Sequence, residues 1–175
     1  MAKELASEEL LQKVEEAGSK CERELHGCGR CTLAALMQCF GLADKASTDL
    51  VLKAALPLSG GIAQTRNTCG ALLGGLMGIG MVFFAGKLED AEAKDIQAVM
   101  ALGRRYYRRF EKEIGNVRCF DIRQVGLGRS FSDPDQYEAF VKAGGYDLCA
   151  SVCGKAARLA AEFILEVEEE RAKGA

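Results

Sequence analysis

Eight cysteines punctuate this 175-residue chain, at Cys21, Cys28, Cys31, Cys39, Cys69, Cys119, Cys149 and Cys153, beside a single histidine, His26. Thiolates ligate iron–sulfur clusters and zinc, and they carry dithiol–disulfide exchange. Cys28-Gly-Arg-Cys31 is a CxxC, which brings two sulfurs near enough to share a metal or to form a disulfide. Thr32 stands where a c-type haem site needs histidine, and no second CxxC follows at zinc-ribbon spacing. A thioredoxin-like role calls for a βαβ context that the pattern lacks. Cys149 and Cys153 lie one helical turn apart on one face, as ligands or as small core hydrophobes. Cys69 opens a glycine-rich helix, where the dipole and free N–H groups favour a thiolate. Arg30 before Cys31 and Arg118 before Cys119 carry little weight in a chain this charged. With one histidine, which reads as a surface residue near Cys28, mixed Cys/His zinc sites are disfavoured.

Size and charge narrow the setting. The chain is long enough for one domain with a hydrophobic core of its own, so disulfides are not needed to hold it. Its amphipathic, charged first residues lack the apolar run of a secretory signal, and a cytoplasmic, reducing location is expected. A net charge of −2 gives no electrostatic case for nucleic acid or an anionic membrane. Residues 69–86 form 18 uncharged residues, at the lower margin of the roughly 20 that a spanning helix requires. Six of them are glycines, and the charged flanking sequence favours a helix wrapped by its own protein, with no membrane insertion.

The elements that must position the sulfurs read as helices throughout. Ser7 is placed to cap a first helix with Leu10, Val14, Ala17, Cys21 and Leu25 as its stripe. A second helix is expected over 30–40, with Gly41 as its stop, and a third from Ser47 or Thr48 to Pro57. The loop SGGIAQTRN leads into the glycine-rich helix, where Gly70, Gly74 and Gly78 share one face. Each glycine there costs about 1 kcal/mol relative to alanine, so close approach by another helix or by a bulky cofactor must offset it.

The pattern over 87–114 is the longest amphipathic one, with Ile96, Val99, Gly103, Tyr106, Phe110 and Ile114 on a face. Residues 116–132 are the least regular. Ser132-Asp133-Pro134 starts a short helix, and a last helix over 146–171 carries Cys149, Cys153, Ala156, Ala160, Phe163 and Val167 inward. The basic run GRRYYRRFEKEIG reads as a solvated helix face. The expectation is an all-α fold, a single-domain helical bundle over 1–175 with a buried Gly/Ala-rich helix.

These segments resemble the C_GCAxxG_C_C family of redox-active proteins, named for its spaced cysteines. The matching pieces are CTLAALMQCFGL around Cys31, TCGALLGGLMGIGMVF around Cys69, RCFDIRQV around Cys119 and YDLCASVCGKAARLAAEFI around Cys149, within about residues 20–165. The family is also similar to a domain of split-Soret cytochromes, which carry an iron–sulfur centre besides haem. The absence of CxxCH means that the haem half of that likeness does not transfer. Thr68 precedes Cys69 and Gly70 follows it, where the family name has glycine before the cysteine.

The resemblance implies an intracellular redox-active protein, active in electron transfer or redox sensing through an iron–sulfur cluster. It implies Cys31, Cys69, Cys119 and Cys149 as ligands, with Cys28 and Cys153 as secondary candidates, and a redox partner protein. Zinc as the metal stays open, as does a metal-free dithiol–disulfide oxidoreductase using Cys28/Cys31 or Cys149/Cys153. A structural module that forms a homodimer through the glycine-rich helix is the third alternative.

Overall fold

The structure is a computed structural model and describes residues 2–84 and 87–174. Among the described residues it is all-α. Eight α-helices are present: α1 (Ala2–Leu25), α2 (Cys28–Phe40), α3 (Lys45–Ala55), α4 (Gly70–Phe83), α5 (Ala93–Ile114), α6 (Cys119–Leu127), α7 (Tyr137–Lys142) and α8 (Gly145–Gly174). The only β pairing among them is an isolated antiparallel bridge between Thr68 and Arg118. Among the described residues, no helix is long and apolar enough to cross a membrane. Residues 85 and 86, the end of the uncharged stretch, lie outside the described residues.

Helix α8 is the axis. Its small residues Ala150, Ala156, Ala157, Ala160 and Ala161 are fully or nearly fully buried, which lets neighbours approach closely. Helix α1 runs antiparallel along it: Arg158 bonds Glu8, while Ser19 Oγ donates to the Ala150 carbonyl at 3.0 Å. Helix α5 is also antiparallel to α8. Arg105 binds Glu170 at 2.9 Å, and Arg109 grips Glu166 at 2.7 Å and Glu162 at 3.1 Å. The basic run is therefore not merely solvated; part of it is a ladder to the acidic end of α8.

The glycines of α4 are explained by α2. A Cβ on Gly70 would stand 2.5 Å from Cys28 Sγ, one on Gly74 would overlap the Gly29 carbonyl, and one on Gly78 would meet the Leu36 side chain. The two helices thus run parallel with backbones in close approach. On the other side, Tyr106 of α5 passes over Gly75 to donate its hydroxyl to the Ala156 carbonyl at 3.1 Å. Tyr106, Phe110, Leu36, Leu72, Ile79 and Ile164 close this core, each contributing about 1.5–3 kcal/mol of apolar burial.

Several expectations shift in detail. Helix α1 begins before Ser7, which is not its cap, and Leu25 is 62% exposed. Its most buried line runs instead through Leu11, Val14, Gly18 and Glu22. Asp44, not Ser47 or Thr48, caps α3, accepting from the Ser47 amide at 2.9 Å. The 87–114 pattern becomes a short 3-10 turn followed by α5, which starts at Ala93 and leaves Ile96 exposed. Within the irregular 116–132 segment stands α6, whose Gly126 lies directly against the Leu148 side chain.

Candidate functional site

Four helices start at one place. Cys28 is the first residue of α2, Cys69 precedes the first residue of α4, Cys119 is the first residue of α6, and Cys149 lies in the first turns of α8. All four line a single cleft of about 710 Å3. Cys69 and Cys119 are locked together by backbone pairing: the Cys69 amide donates to the Val117 carbonyl at 2.8 Å, and the Cys119 amide to Asn67 at 2.7 Å. Gly70 leaves room for the Cys28 sulfur, and a Cβ on Gly61 would stand 2.7 Å from the Cys119 Cβ.

The loop over the cleft is held in a left-handed turn. Gly60, Gly61, Ile62, Ala63 and Gln64 all have positive φ, between 47° and 72°. The glycines adopt this freely; the three other residues do so at a cost of about 1–2 kcal/mol each. Local bonds hold the turn: the Ile62 amide donates to Leu58 at 3.2 Å and the Arg66 amide to Gly60 at 3.1 Å. The opposite wall is aromatic, with His26 stacked on Tyr146 at 3.8 Å and Tyr146 edge-on to Phe140 at 5.4 Å. His26 is thus a half-buried wall residue, its Nδ1 donating to the Glu22 carbonyl at 2.8 Å. Arg30 caps the end of α1, donating Nε to the His26 carbonyl at 2.9 Å.

Not every candidate cysteine reaches this cleft. Cys31 is fully buried one turn deeper, where its thiol faces Cys21 and Glu22 and stands 3.5 Å from the His26 carbonyl. Cys153 sits behind the cleft wall, donating to the Cys28 carbonyl at 3.8 Å. Cys39 lies on another face, near Lys13. Of the ligands that the family likeness implies, Cys69, Cys119 and Cys149 come together. The fourth sulfur beside them is Cys28, while Cys31 stands outside.

Burial governs the protonation of these thiols. It pushes Cys28 up to about 11 and Cys149 up to about 12, and it holds Cys69 and Cys153 well above the usual range. The Leu72 and Ala71 amides at the α4 start favour a Cys69 thiolate as the sequence suggests, but desolvation outweighs them. Cys119 is also raised by burial, with Arg123 and Arg66 pulling it back. Arg118, its sequence neighbour, is engaged instead with Asp121 at 3.7 Å. Cys21 differs: a hydrogen bond from Cys31 lowers it, against its own partial burial. Glu22, 3% exposed, is raised by burial to about 7, and its Oε2 has no hydrogen-bond partner.

Among the described residues, no group of three or more His, Cys, Asp or Glu side chains closes around the position of a single metal ion. A cluster spreads its thiolates over several metal atoms, so its ligands stand farther apart than those of one ion. The four cysteine sulfurs, the cleft volume of about 710 Å3 and the glycines that clear space beside Cys28 and Cys119 fit such a group. The arginines Arg66 and Arg123 place positive charge where anionic sulfur would need it. Glu22 and these arginines escaped the sequence reading. The signal for Glu22 was its position on the buried line of α1.

Fold and site together define an all-α protein with a buried multi-thiol centre. The family model described as "Putative redox-active protein (C_GCAxxG_C_C)" matches residues 9–163. The chain belongs to that family, and with it comes a redox role. No curated protein and no solved structure gives a match to the chain.

Proposed function

We propose that the chain performs electron transfer or redox sensing with an iron–sulfur cluster held by Cys28, Cys69, Cys119 and Cys149. The observation that carries this reading is the convergence of those four sulfurs, each brought by the start of a different helix, on one cleft. When bound, the cluster would supply reversible one-electron chemistry. The chain's own residues set its environment. The α4 and α2 amides point at Cys69 and Cys28, and hydrogen bonds to sulfur raise a potential. Arg66 and Arg123 add positive charge at Cys119. The thiols give up their protons as metal binds, so loading is favoured by alkaline pH. Electrons would pass to and from a redox partner at the cleft mouth.

The test is anaerobic purification with iron, sulfide and zinc analysis, and UV-visible and EPR spectra of the same sample. Iron with acid-labile sulfide supports the reading. Stoichiometric zinc, or no iron after reconstitution, would sink it.

A second reading, a dithiol–disulfide oxidoreductase, draws on Cys21 and Cys31 rather than on the CxxC. Cys21 is partly exposed and lowered by its bond from Cys31, as an attacking thiol should be. Redox titration with alkylation would show a two-electron couple lost in both C21S and C31S. Unchanged behaviour in these variants would remove this reading.

A further inference from the structure

Arg123 is a buried cation with no ion pair among the described residues, although it hydrogen-bonds the Cys119 sulfur and lies near enough to Glu22 for their charges to attract. It is 7% exposed, its Nε has no hydrogen-bond partner, and its guanidinium lies over the Phe140 ring at 3.9 Å. No carboxylate among the described residues stands within ion-pair distance of it. Elsewhere the molecule behaves differently. Arg109 and Arg158, both less buried, each grip two or more carboxylates.

Arg66 stands close enough to Arg123 to repel it. It is tied by its Nε to the Phe131 carbonyl at 3.1 Å and by Nη1 to Gly60 at 3.3 Å, and it too lacks a carboxylate partner. Two guanidinium groups at one cleft, one half-buried and the other buried with an unpartnered Nε, favour an anion beside them. A guanidinium fork matches a carboxylate or phosphate bidentately.

The surroundings indicate what the anion is attached to. The Arg123 guanidinium, the Phe140 ring, Tyr146 and His26 follow one another along a continuous wall. A cleft of about 710 Å3 is in the range of small-molecule sites. We propose that this cleft binds a small organic anion, a carboxylate or phosphate ester, with its charged head on Arg123 and Arg66 and its apolar body against Tyr146. That this ligand is the substrate of the redox centre rests on the reading above; its binding does not.

Calorimetry on the reduced, metal-free protein tests it, with benzoate and phenyl phosphate as probes and benzyl alcohol as the neutral control. Saturable binding of at least one anion at one per chain is expected, with the alcohol at least about tenfold weaker. Arg123→Gln should lose about tenfold or more in affinity, and Arg123→Lys, which keeps the charge but not the fork, several-fold. If Arg123→Gln does not fold, Arg123→Lys carries the comparison. Failure of both anions to bind, or affinity unchanged in the variant that folds, overturns the proposal and leaves the arginines as counter-charges to the sulfurs. A chain that binds the anion yet takes no iron keeps this proposal and loses the preceding one.

Discussion

The backbone amide of Cys69 donates to the carbonyl of Val117 at 2.8 Å, so the start of α4 is fastened to the segment that introduces α6. The reciprocal bond from Cys119 to Asn67 at 2.7 Å completes the pair. Two cysteines fifty residues apart in sequence are thereby presented side by side.

The cysteines should therefore separate into two classes on reconstitution. Serine at Cys28, Cys69, Cys119 or Cys149 is expected to abolish or halve iron uptake. Serine at Cys39, which lies on another face, should leave it unchanged. Iron per chain after anaerobic reconstitution is the measurement, and Cys31→Ser is the informative member: retained iron supports Cys28 as the fourth ligand.

Alkaline pH should destabilise the metal-free fold. The Cys28 thiol is raised from 9.0 to about 11, so between those values the folded state keeps a proton that the unfolded state has released. Stability from this group is fully present below pH 9 and falls by about 2–3 kcal/mol as pH rises through 11. Urea midpoints at pH 8 and pH 10.5 should diverge more in the wild type than in Cys28→Ala.

Glu22 has the same sign in a different window. Its carboxyl moves from 4.5 to about 7, so the folded state favours the neutral form, and stability falls as pH rises from about 4.5 to 7. Glu22→Gln removes that dependence. At pH 8 the variant should be more stable than the wild type by up to about 3 kcal/mol, and the gap should close by pH 4.5. A wild type with no slope across this interval would contradict the burial of the charge.

Two glycines of α4 should respond oppositely to alanine. At Gly74 the new methyl would overlap the Gly29 carbonyl, costing about 1–3 kcal/mol. At Gly80 nothing lies within 4 Å, and alanine should stabilise the helix by about 1 kcal/mol. Thermal unfolding of the two variants gives the comparison.

The sequence is most legible where spacing alone decides geometry. Gly70, Gly74 and Gly78 share a face at any helix register, and the structure fills that face with α2. The inward side of α8, from Cys153 to Val167, was equally plain because its residues are small and apolar. The site was harder to read, for three physical reasons. Helix α2 starts two residues earlier than its glycines suggested, so Cys28 gains a helix-start position and Cys31 falls a turn deeper. Glu22 carries a charge that normally marks a solvent face, yet it stands on the buried line of α1. Arg66 and Arg123 come from a left-handed loop and a short glycine-containing helix, where no periodicity announces an inward side chain.

The convergence of four helix starts also fixes an order of events. Cys28 and Cys149 stand 121 positions apart, so the fourth wall of the cleft does not exist until α8 has been synthesised and has docked. A nascent chain on the ribosome can offer at most three of these sulfurs for most of its translation. Delivery of the proposed cluster would then be late, and a fragment ending before α8 would lack part of its ligand set. Conversely, a group bound across all four strands of attachment would tie remote parts of the chain into one loop. Proteolysis or pulling from the chain's ends would then have to break metal–sulfur bonds before the bundle could open.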